Sequence, residues 1–213
     1  MNIGFLASHN GSNMQAIINA CKTGVLQASP VVVISNNAGS GALARAKQEG
    51  ILSYRFSSKT HPDPAELDLA ILDAMLEHQV DIIVLAGYMK KIGPKTLSHF
   101  SSRILNIHPS LLPKFGGKGM YGSRVHQAVI ASGEKESGVS IHIVDAEYDT
   151  GPVIAQARVP VESVDTPEVL ASRILQCEHT FFAETLQKIV TGEIVLPGPR
   201  ANVPKNAVSD TDP

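Results

Sequence analysis

The segment IGFLASHNGSNMQAIINAC, residues 3–21, decides the fold of this chain. It opens with the apolar run Ile3–Ala7, which predicts a buried strand, and then passes through a turn with one glycine. Apolar residues follow at helical spacing: Met14, Ile17, Ile18 and Cys21. A strand that leads through a short turn into a helix is the first half of a βαβ unit, so the segment predicts a parallel sheet.

The rest of the chain repeats this alternation, and we predict an α/β fold with a mostly parallel sheet flanked by helices. The further predicted strands are 30–35, 51–56, 81–85, 103–108, 138–144 and 153–159, and the further helices are 41–48, 63–78, 125–132 and 165–190. Four glycines between 113 and 123 predict a mobile loop. We assign residues 1–195 to one domain and expect the polar tail, 196–213, to be poorly ordered.

Composition excludes several classes of protein. The 213 residues are 43% hydrophobic and 18% charged with a net charge of −2, which is typical of a globular protein and lacks the basic excess of a nucleic-acid binder. The first residues are too short an apolar run to span a membrane, and no cluster has zinc-ligand spacing, so we expect neither membrane nor metal. Two isolated cysteines, Cys21 and Cys177, indicate a reducing, cytoplasmic compartment.

The turn after the first strand is a candidate anion site. Gly11 permits close approach of the backbone, and the amides of Ser12 and Asn13 would point outward at a helix N-terminus, which suits a phosphate. The alternative is a capping box between Ser12 and Gln15 with nothing bound. A single glycine does not match the pattern of a dinucleotide site, so NAD is not expected.

A second candidate site lies at the end of the fifth predicted strand. Asn106 and His108 are two residues apart and therefore face the same side, where ligands of open parallel sheets bind. An amide donor beside an imidazole suits stabilisation of an oxyanion with proton transfer, as acyl transfer requires. A structural histidine is the alternative at His108, and equally at His142 on a later strand.

Two acidic residues have less certain roles on spacing alone. Asp149 lies in an acidic loop, 145–152, and spacing alone favours a solvated turn there. The alternative is that the loop folds back beside His108, where the Asp149 carboxylate would raise the pKa of the imidazole. Glu178 is centred on the apolar stripe of the last helix, so its carboxylate must be paired or line a pocket, where ribose hydroxyls would suit it.

Several motifs together resemble the phosphoribosylglycinamide formyltransferase family. The matching runs, spread over residues 1–195, are Asn10–Gln15, Val84–Met89, Asn106–Pro113, Asp149–Pro152 and Gln176–His179. Folate formyltransferases in general share the Asn-x-His-Pro-Ser run and the downstream aspartate. The early Asn-Gly-Ser-Asn and the late Glu-His select the glycinamide branch.

The resemblance implies the formyltransferase fold, with a Rossmann-like, ribonucleotide-binding half over 1–100 and a catalytic half over 101–195. It implies transfer of formyl from 10-formyltetrahydrofolate, a co-substrate, to glycinamide ribonucleotide in purine biosynthesis, without a metal. The implied phosphate and ribose residues are Gly11, Ser12, Asn13 and Glu178. The implied folate residues are Met89, Lys90, Lys91, Ile92, Asn106, Val144, Asp145 and Asp149. Asn106, His108 and Asp149 are implied as catalytic, with Asp149 keeping His108 protonated.

Some positions depart from the family, and other classes compete. Lys90 and Lys91 stand where family members often have an arginine after the methionine. Pro64 occupies a position where some members have an arginine, and the loop at 116–123 is longer than in several members. We expect 213 residues to leave no room for the regulatory domain of a formyltetrahydrofolate deformylase or the C-terminal domain of a methionyl-tRNA formyltransferase. A non-catalytic nucleotide-binding module would leave Asn106 and His108 unexplained. We expect small-molecule substrates and a monomer or homodimer.

Overall fold

The computed structural model describes residues 1–198 and confirms the α/β fold. The strands are β1 (Asn2–Ala7), β2 (Ser29–Ser35), β3 (Leu52–Arg55), β4 (Ile82–Leu85), β5 (Ile104–His108), β6 (Glu136–Ile143) and β7 (Val153–Pro160). The helices are α1 (Ser12–Lys22), α2 (Gly41–Gln48), α3 (Pro64–Glu77), α4 (Pro94–His99), α5 (Ser123–Ser132) and α6 (Pro167–Thr191). No helix of this part of the chain is long and apolar enough to cross a membrane.

The strands form one sheet in the order β3-β2-β1-β4-β5-β6-β7. β1 to β5 pair in parallel, whereas β6 pairs antiparallel with β5 and β7 pairs antiparallel with β6. The order reverses between β1 and β4, where the following loops diverge and open a crevice at the carboxyl edge of the sheet. The loops after β1, β4 and β5 therefore meet there.

Two apolar layers cover the sheet. One contains Phe5 and Val84 from the strands with Ile17 of α1 and Phe182 of α6. The other contains Leu6 and Ile83 with Met75 of α3 and Phe100. Consecutive strand residues such as Phe5 and Leu6 thus enter opposite layers, which is why β4 is apolar throughout and β1 carries no polar side chain after Asn2.

The predicted helix starts at α3 and α6 are confirmed. Asp63 caps α3 by accepting a hydrogen bond from Ala65 N at 2.8 Å, and Pro64 occupies the first turn. Thr166 caps α6 by accepting from Val169 N at 3.4 Å, and Pro167 follows it. Both helices begin where a short polar side chain precedes a proline.

Helix α4 was not predicted. Its first amides donate to the buried carboxylate of Asp68 on α3: Lys95 N at 2.8 Å and Thr96 N at 3.1 Å. A Cβ on Gly93 would lie 2.1 Å from the carboxylate carbon, so only glycine admits this cap. The capping group is supplied 27 residues earlier, beyond the reach of a local sequence pattern.

The end of the described chain contacts the domain. Leu196 is buried, and Arg103 donates to the carbonyl oxygens of Pro197 at 3.0 Å and Gly198 at 3.1 Å. The expectation of a poorly ordered tail covers residues 196–213; residues 196–198 instead pack on the domain, and residues 199–213 lie outside the described residues.

Candidate functional site

Asn106 and His108 project from β5 at the carboxyl edge of the sheet. The antiparallel register with β6 places Asn106 opposite His142, and Asn106 Nδ2 lies 3.0 Å from His142 Nε2. His108 and His142 are buried, with 3% and 2% of their surface exposed. Two buried imidazoles and an amide thus share one side of the strand pair.

Asp149 returns to this pair from the loop between β6 and β7. Its Oδ2 lies 3.5 Å from His108 Nδ1, and its Oδ1 lies 3.4 Å from His142 Nε2. Gly117 N donates to Oδ2 at 2.9 Å. The side chain is only 12% exposed, so the interpretation of Asp149 as a solvated turn residue is wrong, although its neighbours from Asp145 to Tyr148 are exposed.

Backbone carbonyls fix the orientation of both imidazoles. His108 Nε2 lies 2.7 Å from Phe115 O, and His142 Nδ1 lies 3.0 Å from Ile143 O. A carbonyl only accepts hydrogen bonds, so each of these nitrogens carries a proton. The other nitrogen of each ring faces the Asp149 carboxylate.

The pKa values around Asp149 reflect competition between burial and charge. Burial lowers the pKa of His108, and the Asp149 charge and the Phe115 carbonyl only partly offset it. The expected net increase is therefore wrong, although Asp149 contributes in the expected direction. Burial acts to raise the pKa of Asp149, but hydrogen bonding from His142, the charge of His108 and the Gly117 amide hold it below its usual value.

The turn after β1 has the geometry predicted for an anion site. Gly11 has φ +70°, and a Cβ there would lie 2.9 Å from the Ala42 side chain, so the turn requires glycine. Among residues 1–198, no protein group accepts a hydrogen bond from the amides of Gly11, Ser12 or Asn13. These amides are available to a ligand at the start of α1.

The alternative capping box is wrong. The cap residue of α1 is Gly11, and no side chain caps the helix. Gln15 instead donates from Nε2 to Asn19 Oδ1 at 3.0 Å and to Glu49 Oε1 at 2.8 Å. A cleft of about 470 Å³ opens beside the turn, lined by Ser8, His9, Asn10, Asn37, Gly39, Ser40 and Gly41.

Glu178 on α6 reaches the same turn. It is 7% exposed, and Asn13 donates to it from Nδ2 to Oε2 at 2.9 Å. Burial raises its pKa to about 7. Asn13 Oδ1 is also buried and has no hydrogen-bond partner within the described part of the chain. The prediction that this carboxylate is paired or lines a pocket is confirmed.

Comparison with known proteins assigns this chain to a family. The Formyl transferase family profile matches residues 1–186. The phosphoribosylglycinamide formyltransferase of Escherichia coli (strain K12) is 37% identical over 92% of this chain and 90% of its own length. The chain belongs to the phosphoribosylglycinamide formyltransferase family.

Two further members of the family agree. The chloroplastic phosphoribosylglycinamide formyltransferase of Vigna unguiculata is 41% identical over 91% of this chain, which spans 62% of that relative's length. The crystal structure of glycinamide ribonucleotide transformylase 1 from Symbiobacterium toebii has a TM-score of 0.85 at 37% identity, covering 95% of this chain and 93% of the other. The likeness therefore extends over nearly all of this chain.

The residues that the family implies for folate lie on two facing loops. Met89, Lys90, Lys91 and Ile92 follow β4, where Met89 N donates to Ser8 Oγ at 2.8 Å. Val144 and Asp145 follow β6, and Lys91 Nζ donates to Glu147 at 3.2 Å across the gap. The loops flank Asn106, and the role of each residue toward folate stays a prediction.

Sequence reasoning missed three parts of the site. The sequence allows a purely structural role for His142, yet this residue contacts both Asn106 and Asp149. The sequence does not indicate the Phe115 carbonyl or the Gly117 amide, because the residue type says nothing about what a backbone group contacts. The family motif could not show them, whereas the pairing of β5 with β6 brings His142 into place.

Proposed function

We propose that this chain transfers the formyl group of 10-formyltetrahydrofolate to the amine of 5'-phosphoribosylglycinamide, in de novo purine biosynthesis. The observation that carries the proposal is the cluster of Asn106, Asp149 and the buried His108 and His142 at the sheet edge of a member of this family. The cluster offers donors and a proton reservoir without a protein nucleophile. The nucleophile is the substrate amine.

The reaction proceeds by direct attack. The amine lone pair forms a bond to the formyl carbon, and the carbonyl electrons move onto oxygen. The tetrahedral intermediate then breaks its bond to N10 of the folate. The proton that the amine loses ends on N10, so the products are formylated glycinamide ribonucleotide and tetrahydrofolate.

Asn106 and His108 stabilise the developing oxyanion. An amide or imidazolium donor held by a rigid strand is worth most where charge appears only in the transition state. His108 Nε2 donates to Phe115 O, so donation to the oxyanion requires that hydrogen bond to be exchanged. The loop that carries Phe115 therefore has to shift during the cycle.

Asp149 holds and relays the proton. With Nε2 of His108 donating to Phe115 O, a neutral His108 turns the lone pair of its Nδ1 toward the Asp149 carboxylate, whereas the lone pair of His142 Nε2 accepts from Asn106 Nδ2. One additional proton in the cluster replaces this repulsion by a hydrogen bond. That proton supports His108 as a donor and can pass toward the leaving N10.

The ribonucleotide and the folate approach from different sides. The amides of Gly11, Ser12 and Asn13 bind the phosphate, and Glu178 accepts hydrogen bonds from the ribose hydroxyls. Met89 to Ile92 and Val144 to Asp149 hold the pterin, with Lys90 and Lys91 exposed at the entrance. The amine and the formyl group then meet at Asn106.

A single-turnover absorbance assay of the folate, with and without ribonucleotide, tests the proposal. We expect tetrahydrofolate to form only when ribonucleotide is present. Turnover without it would indicate a deformylase instead. Saturable ribonucleotide binding with no turnover would indicate a nucleotide-binding module.

A further inference from the structure

Arg45 reaches from α2 to the back of the anion-binding turn. Its Nε donates to Asn10 O at 2.9 Å and its Nη2 donates to Asn10 Oδ1 at 3.4 Å. A third bond runs from Nη1 to Gln15 Oε1 at 3.5 Å. The guanidinium therefore donates hydrogen bonds both to the residue before Gly11 and to the first turn of α1.

No carboxylate neutralises Arg45 within residues 1–198. Its helical neighbour Glu49 pairs with Lys22 and accepts from Gln15 instead. The charge of Arg45 also reaches α6, where burial first and then Arg45 lower the pKa of His179, the residue after Glu178. A permanent cation thus lies behind the turn, and its charge acts on His179 of α6.

The close packing of α2 on the turn makes this reach possible. A Cβ on Gly41 would lie 2.6 Å from Asn10 Oδ1, so the first residue of α2 abuts Asn10 directly. Of the residues that line the adjoining cleft, His9 is the one that can become positively charged. Arg45 is consequently the permanent charge nearest the turn that the described contacts reveal.

A trans peptide links the position of Arg45 to the anion site. The carbonyl of Asn10 and the amide of Gly11 belong to one planar unit and point in opposite directions. When Arg45 holds the carbonyl, the Gly11 N–H must point away from Arg45. The hydrogen bond to the Asn10 carbonyl therefore also fixes the direction of the Gly11 N–H.

We propose that Arg45 is a positioning residue for the substrate phosphate: it orients the Gly11 amide and supplies positive charge behind the turn. This inference rests on the proposed function, in which that turn binds the phosphate of glycinamide ribonucleotide. Arg45 acts through Asn10 and touches no reacting atom. It should therefore affect binding of the phosphate and leave the chemical step unchanged.

The test compares Arg45→Met with Lys47→Met, which removes the same charge from an exposed position of the same helix. We expect Arg45→Met to raise the KM for ribonucleotide about tenfold, as loss of one nearby charge predicts, with kcat within about twofold. Inhibition by inorganic phosphate should weaken by the same factor. Binding of the dephosphorylated glycinamide riboside should not change, and Lys47→Met should match the parent.

Arg45→Lys is the second variant, because it keeps the charge but loses the planar fork. We expect a KM between those of the parent and Arg45→Met. If Arg45→Met weakened binding of the ribonucleotide and of the riboside equally, its role would be merely structural and the inference would be overturned. A KM of Arg45→Met equal to that of Lys47→Met would overturn it too. If the parent lacked turnover, calorimetric binding of inorganic phosphate to the parent and the variants would still decide the role of Arg45.

Discussion

Asp149 is where three separate parts of the chain converge. It contacts His108 from β5, His142 from β6 and the Gly117 amide from the glycine-rich loop. Its own backbone has φ +58°, an uncommon conformation for a residue other than glycine. The loop therefore accepts local strain in order to aim this carboxylate at the two imidazoles.

Replacing Asp149 with asparagine should reduce kcat by about a hundredfold to ten-thousandfold, the range for loss of a positioned acid–base group. Asparagine fills the same volume but can neither carry the charge nor hold the proton. The KM for ribonucleotide should stay near the parent value, because Gly11 to Asn13 and Glu178 are untouched. Steady-state kinetics would measure both parameters. Asp73→Asn, an exposed change on α3, is the control, and equal kcat in the two variants would remove Asp149 from the mechanism.

Glu178 should make the folded protein less stable as pH rises. Its pKa is raised from 4.5 to about 7, so its protonated form is preferred in the folded state. The stability that it contributes is complete below pH 4.5 and is lost as pH rises through 7. One pKa unit corresponds to about 1.4 kcal/mol, which makes the full loss about 3 kcal/mol.

Glu178→Gln should therefore raise the free energy of unfolding at pH 8 by up to about 3 kcal/mol and leave it unchanged at pH 4. Glutamine keeps an oxygen that can accept from Asn13 Nδ2. The same variant should bind ribonucleotide more weakly, since a neutral amide accepts hydroxyl hydrogen bonds less well than a carboxylate. Urea unfolding at both pH values and calorimetric titration are the measurements. A stability difference that did not depend on pH would contradict the assignment.

At the scale of elements, the loop between β5 and α5 is joined to the site through its backbone. Phe115 O accepts from His108, and Gly117 N donates to Asp149. Gly117 and Gly119 both have φ +92°, and neither has an atom within 4 Å of where a Cβ would lie. The two glycines differ in that only Gly117 donates to Asp149.

Gly117→Ala should therefore lower kcat more than Gly119→Ala. Each change adds about 1–2 kcal/mol of backbone strain, as expected for a left-handed conformation with a side chain. At Gly117 the loop relieves that strain by turning its amide away from Asp149, whereas at Gly119 no contact with the cluster is lost. Kinetics of both variants against the parent would measure this. Equal kcat values would show that the Gly117 amide does not support the cluster.

At the scale of the whole molecule, one sheet passes through both halves of the site. β4 of the first half pairs in parallel with β5 of the second, and α6 returns to place Glu178 beside Asn13. The proposed ribonucleotide site therefore draws on residues of the first helix and of the last helix. The predicted monomer or homodimer stays a prediction.

Unfolding in urea should consequently be a single transition, with the same midpoint by circular dichroism and by tyrosine fluorescence. Saturating ribonucleotide should stabilise the whole protein by about 2.7 kcal/mol when it exceeds its Kd about a hundredfold. Two separated transitions would show that the halves, 1–100 and 101–195, are independent units.

The sequence by itself determined the fold class and every described element except α4, because strand and helix periodicity and the breaks at proline or glycine are local. The alternation of Ile3–Ala7 with Met14 to Cys21 predicted β1 and α1, and the same-side placement of Asn106 and His108 followed from strand geometry. Glu178 stood out because a carboxylate on an apolar stripe has to find a partner.

Only the tertiary structure decided which distant groups meet. Asp149 and His142 became partners of Asn106 and His108 through the antiparallel register of β5 with β6 and the return of the following loop. Asp68 caps α4 from 27 residues earlier in the chain, and Arg45 donates to Asn10, which lies 35 residues before it. The sign of the His108 pKa shift was decided in the same way, because burial depends on the packing of the whole molecule and not on neighbours along the chain.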